Sequence, residues 1–175
     1  LKNRFDWEMH PVLRIVLLAG LLFGLNRVMF GQTPESIYLT PEDEVRFMEI
    51  YDEKMEGWPV PYEDLYVDTL YGKVHVIASG PEDAPPMLLL HASVVSSWSW
   101  KDNAEDLSQE YRIYAVDLIG DVGKSELDSL EHVMESGKDQ AVLYAEIMDG
   151  LGIEKAYVVG ASEGGFIGSN IAIHY

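Results

Sequence analysis

Ala156-Tyr157-Val158-Val159-Gly160-Ala161-Ser162-Glu163-Gly164-Gly165-Phe166-Ile167 decides how this chain reads. An apolar run, Ala156–Val159, leads into Gly160-Ala161-Ser162-Glu163-Gly164, which fits G-x-S-x-G. The five-residue string alone is weak. Its setting makes it specific, because a buried strand is expected before it and a helix after it. Such a turn presents a serine hydroxyl in a strained backbone conformation. Gly160 and Gly164 lie two residues either side of Ser162, where side chains would collide. The following helix aims its first N–H groups at the place where an oxyanion forms during acyl transfer. Ser162 is therefore the candidate nucleophile.

Upstream, strands and helices alternate. Tyr66–Leu70 and Lys73–Ala78 flank Tyr71-Gly72 and predict a hairpin. Met87–Leu90 and Tyr111–Leu118 are continuous apolar runs, as expected of strands covered on both faces. Helices are expected over Ala104–Glu110 and over Asp139–Leu151, the latter with Val142, Ala145 and Met148 on its apolar face. Strands alternating with helices imply a parallel sheet with helices on its faces. Thr40-Pro41-Glu42-Asp43 reads as the start of an earlier helix, with Val45, Met48, Tyr51 and Met55 at helical spacing. The chain then divides into residues 1–31, residues 32–64 (leading helix and connector) and residues 65–175 (sheet and helices).

Composition narrows the function classes. The 175 residues contain no Cys, which excludes disulfides, Cys-ligated zinc and thiol catalysis. The formal charge of −18 repels phosphate backbones, so no nucleic-acid partner is expected. Lys2, Arg4, Arg14 and Arg27 make residues 1–30 the one basic region. Within it, Ile15–Leu25 has no polar side chain. A full span needs about 20 apolar residues, and Val12–Phe30 reaches that only by including Arg14, Asn26 and Arg27. Arginines near the ends of a span can snorkel to the interface. No small-x-small cleavage site follows, so an uncleaved signal anchor is expected over residues 12–30, the alternative being an apolar helix packed on the domain or on a partner. That implies membrane association. Without it the location would be cytoplasmic.

Two further motifs agree with the first. The strand Met87–Leu90 ends in His91-Ala92-Ser93, and the strand after it ends in Asp117-Leu118-Ile119-Gly120-Asp121-Val122-Gly123-Lys124-Ser125. They resemble the oxyanion loop and the D-x-x-G-x-G-x-S loop of the α/β-hydrolase superfamily. The chain from about Leu39 to Tyr175 resembles the bacterial carboxylesterase-like members. This implies an α/β fold: the N-terminal part of a mostly parallel sheet with helices on both faces, incomplete in this chain. It also implies cleavage of a small-molecule carboxylic ester through an acyl-enzyme on Ser162. The backbone N–H groups of Ser93 and Glu163 would form the oxyanion hole, and Gly160 and Gly164 would be the elbow glycines that flank Ser162. No metal and no cofactor are expected. Other serine-elbow chemistries (thioesterase, amidase, perhydrolase) and a non-catalytic binding module are the alternatives.

Two positions depart from the family pattern. Ala92 replaces a glycine that tolerates positive φ, and Glu163 puts a carboxylate beside a developing oxyanion. The resemblance also places the triad acid and His after the serine, and only 13 residues follow Ser162. The missing C-terminal half of the fold is therefore an expected partner, and the chain alone is expected to be inactive. His10, His75, His91, His132 and His174 are expected to be structural. Gly120–Ser125 imitates a phosphate loop but has two residues between its glycines where four are needed. Trp98 and Trp100 are read equally as acyl-pocket wall or core.

Overall fold

The computed structural model describes residues 37–129 and 134–175. The hairpin strands are β1 (Tyr62–Thr69) and β2 (Gly72–Ser79), followed by β3 (Pro86–Leu90). A 3-10 turn (Ser97–Trp100) leads into α2 (Lys101–Leu107). Then come β4 (Arg112–Val116), β5 (Glu126–Leu127), α3 (Gly137–Gly150), β6 (Tyr157–Gly160) and α4 (Glu163–His174). Helix α1 (Pro41–Met55) precedes them all.

Strand order is β1-β2-β4-β3-β6, with β5 paired to β2. The part that carries the motifs is parallel: β3 lies between β4 and β6, with Leu90 opposite both Val116 and Gly160. The hairpin joins this part antiparallel, through β2 and β4. The sheet is therefore mixed, because a tight hairpin can only make antiparallel neighbours.

Alternation along the strands sends side chains to opposite faces. Val74, Val76, Leu88, Leu90 and Val116 pack under α3 and α4. Ile77, Met87, Leu89, Ile113 and Ala115 pack under α1 and α2. Both faces are covered, as expected. Burying each of the Val, Leu, Ile and Met side chains contributes about 1.5–3 kcal/mol.

Local chemistry explains the helix ends. Thr40 accepts the Asp43 N–H at 3.1 Å, Pro41 opens α1, and acids fill its first turn. Ser136 and Asp139 form a reciprocal capping box that starts α3 two residues earlier than its apolar pattern indicated. The buried stripe of α3 is Ala141, Leu143, Tyr144, Ile147 and Met148, while Val142 is 40% exposed. The stripe expected through Val142 and Ala145 is thus shifted, because Leu143 and Tyr144 bury more apolar area. In α1, Val45 is likewise exposed, and Tyr51 and Met55 reach the core.

One expectation fails clearly. The apolar run predicts a buried β6, yet Tyr157, Val158 and Val159 are 60%, 36% and 38% exposed. It pairs only with β3 among the described residues, so its apolar side chains lack the second neighbour that would cover them. No helix among the described residues is long and apolar enough to cross a membrane. The expected anchor over residues 12–30 lies outside them.

Candidate functional site

Strand β6 ends at Gly160 and α4 begins at Glu163, so the chain reverses over Ala161 and Ser162. Ser162 sits at φ 50°, ψ −109°, a region that L-residues other than glycine rarely adopt. The neighbouring glycines are required by contact. A Cβ at Gly160 would stand 2.2 Å from the Gly164 backbone, and a Cβ at Gly164 would stand 2.1 Å from Leu90 O. Ala161 N–H donates to Leu90 O at 3.0 Å and Gly164 N–H to His91 O at 3.1 Å. The turn is thereby bolted to the end of β3. Ser162 is exposed, and its hydroxyl has no hydrogen-bond partner among the described residues.

The loop after β3 faces this turn. His91 is fully buried and joins two loops: Leu118 N–H donates to its Nε2 at 2.9 Å, and its Nδ1 donates to Ala92 O at 2.7 Å. These partners place the ring proton on Nδ1. Ala92 has no positive φ; that conformation falls on Val94 instead, at φ 56°. The Asp121 carboxylate receives the Val94 N–H, at 2.9 Å to Oδ2, and holds the strained residue. The Ser93 hydroxyl donates to the Glu163 carboxylate. Glu163 therefore has a partner, and a side-chain bond ties the β3 loop to the start of α4. The backbone N–H groups of Ser93 and Glu163 have no hydrogen-bond partner among the described residues.

A cavity of about 240 Å³ opens beside these two residues. Leu118, Ile119, Leu143 and Ile167 give it apolar walls, and Asp121 and Tyr144 give it polar ones.

A family model described as the alpha/beta hydrolase fold matches residues 85–175. The chain belongs to the α/β-hydrolase family. It is 46% identical over 121 residues to the uncharacterized carboxylesterase nap of Bacillus subtilis, covering 69% of this chain and 39% of that protein. It is 43% identical over 124 residues to carboxylesterase YbfK of the same organism, covering 71% and 41%. The crystal structure of carboxylesterase CesB (YbfK) superposes with a TM-score of 0.72 at 41% identity, over 75% of this chain and 45% of that one. The chain thus spans about two fifths of these curated relatives.

In this α/β-hydrolase the remaining sequence candidates serve structure. His75 is fully buried, with Nδ1 2.9 Å from Asp117 Oδ2 and Nε2 2.8 Å from Asp64 Oδ1. Asp117 also accepts from Ser97 N–H, Ser97 Oγ and Lys124 N–H at 2.7–2.9 Å. Burial alone would raise the Asp117 pKa; the bonds from His75, Ser97 and Lys124 outweigh it and hold the carboxyl below the ordinary range. This Ser–Asp–His group is no catalytic triad. The Ser97 hydroxyl bonds to Asp117 and Tyr51, and the cluster is closed to solvent.

The apparent phosphate loop is accounted for in the same way. Lys124 Nζ pairs with Asp52 at 2.7 Å, and Ser125 Oγ donates to Asp117 O. Trp98 and Trp100 pack with Tyr51 and Met55 on the far face of the sheet, so the core reading holds for them. His174 closes α4, and His10 and His132 lie outside the described residues.

Three participants escaped sequence reading. Val94 has no local signal for positive φ. Asp121 lay inside a quoted motif, but its bond to Val94 spans 27 residues. Tyr144 looked like any apolar position on a helix.

Proposed function

We propose that this chain carries the nucleophile and the oxyanion-binding groups of a serine ester hydrolase. Ser162 Oγ attacks the carbonyl carbon of a small or medium carboxylic ester. Its proton passes through a base to the leaving alkoxide, and the acyl group stays on the serine until water releases it as the acid. The Ser93 and Glu163 N–H groups hold the oxyanion in the tetrahedral intermediates.

The observation that carries this reading is the held turn. Ser162 is exposed at a strained φ of 50° between two glycines that contact forbids replacing. The unpartnered N–H groups of Ser93 and Glu163 add to it. The carboxylesterase names of the two relatives support esters over other acyl compounds. The departures at Ala92 and Glu163 weigh less than the sequence implied, since the strain sits at Val94 and the carboxylate bonds to Ser93. The base and its orienting carboxylate have to come from outside the described residues. His75 and His91 are engaged elsewhere, and His174 lies at the far end of α4.

Fluorophosphonate labelling of the full-length protein tests the assignment. Ser162 is expected to take the label and Ser162→Ala to lose it. A folded protein that takes no label overturns it. Residues 1–175 alone are expected to hydrolyse p-nitrophenyl butyrate only at trace rates. Residues 12–30 are read as a membrane anchor ahead of a connector over residues 32–64 and the hydrolase unit over residues 65–175. Deleting residues 1–31 should move the protein from the membrane pellet to the soluble fraction.

A further inference from the structure

We propose that the cavity between the loop after β4, helix α3 and the start of α4 is the subsite for one arm of the ester, and that Tyr144 is its specificity-determining residue, favouring neutral arms that carry an ether or keto oxygen and disfavouring anionic ones. This rests on the reading of Ser162 as the nucleophile. Ser93 and Glu163, whose N–H groups that reading assigns to the oxyanion, both line the cavity. An arm lying there extends directly from the reacting carbonyl. The volume of about 240 Å³ is below the roughly 300–1,000 Å³ of sites for drug-sized ligands, so it suits one arm rather than a whole large molecule.

Tyr144 is 2% exposed and lines this space, yet its hydroxyl has no hydrogen-bond partner among the described residues. The side-chain atoms sealed from solvent without a partner among the described residues are Ser96 Oγ and Trp100 Nε1, so the Tyr144 hydroxyl opens on the cavity, where a ligand oxygen can accept from it. Burial, and then the charge of Glu163, push the Tyr144 pKa up, so the hydroxyl keeps its proton and donates. The rest of the lining sets the sign of charge. Asp121 and Glu163 are both present, and none of the described lining residues is cationic. Asp121 is engaged by the Val94 and Val122 N–H groups and Glu163 by the Ser93 hydroxyl, which fixes both carboxylates in place. A carboxylate arm would meet repulsion there in a partly apolar setting, where charges are poorly screened.

The test measures binding in full-length Ser162→Ala protein, where turnover cannot interfere. p-Nitrophenyl pentanoate and p-nitrophenyl 3-methoxypropanoate have equal length and differ by one CH2 replaced with oxygen. The methoxy ester is expected to bind about fivefold more tightly, the worth of one net hydrogen bond. Adding Tyr144→Phe should remove that preference, so that the two esters bind equally. p-Nitrophenyl hemisuccinate should bind more weakly than either, and Glu163→Gln should recover part of the loss. An unchanged methoxy preference in Tyr144→Phe overturns the proposal, as does binding of the hemisuccinate as tight as that of the methoxy ester. If Tyr144→Phe does not fold, Met134→Trp is the second probe. It crowds the cavity from another wall, and equal binding of both esters before and after it also overturns the proposal. Labelling of Ser162 is read separately, so a failed nucleophile with an intact methoxy preference is distinguishable from a failed subsite.

Discussion

Val94 and Ser162 are the non-glycine residues with positive φ among the described residues, and they sit on the two loops that face each other at the site. Such conformations cost of order 1–3 kcal/mol and persist only where the surroundings impose them. At Ser162 the imposing contacts are those of Gly160 and Gly164. Replacing either glycine with Ala drives a Cβ into backbone at 2.1–2.2 Å. Each change is expected to destabilise the protein by about 3 kcal/mol, read as a lower urea midpoint. Gly165→Ala meets its nearest atom at 3.3 Å and should cost far less. Val94 is β-branched and held by Asp121. Val94→Gly should leave stability unchanged or raise it by about 1 kcal/mol. A marked loss of thermal stability in that variant would contradict the strain.

At the scale of elements, the Asp117 cluster ties α1, β2 and the loop after β4 together. Tyr51 comes from α1, His75 from β2, Ser97 from the 3-10 turn and Lys124 from the loop after β4. Removing one partner of a buried charged network typically costs about 3–5 kcal/mol. Asp117→Asn is expected to fall in that range, because an amide NH2 would face N–H donors that now meet oxygen. The pH dependence has a definite sign. The Asp117 pKa is lower in the folded state than in the unfolded chain. Its contribution is therefore full above roughly pH 5 and is lost as pH falls through the lowered folded value. Urea midpoints measured across that acid range should fall more steeply for the wild type than for Asp117→Ala.

At the scale of the 175-residue chain, β6 presents apolar side chains to solvent. Tyr157, Val158 and Val159 present an apolar strand whose outer edge has no partner among the described residues. Such edges template association. The 175-residue chain on its own is expected to self-associate despite a formal charge of −18, and Val159→Lys should shift it toward monomer in light scattering. A monomeric wild-type chain at high concentration would contradict this.

The sequence alone determined the order of the main strands and helices, though not the 3-10 turn or the two-residue β5, and it determined the helix start at Thr40, the glycine-flanked Ser162 and the family to which the chain belongs. These depend on neighbours a few residues apart, where caps, apolar periods and glycine spacing act directly. Strand ends were less legible. β1 begins four residues before its apolar run because Tyr62, Glu63 and Asp64 lie on an exposed strand whose composition does not mark it. Only the tertiary structure decided that β6 is exposed and that strain falls on Val94 rather than Ala92. It alone decided that Glu163 bonds to Ser93 across 70 residues and that His75 is clamped between two carboxylates. Each of these depends on groups brought together by the sheet from distant parts of the chain, and no local pattern encodes such a meeting.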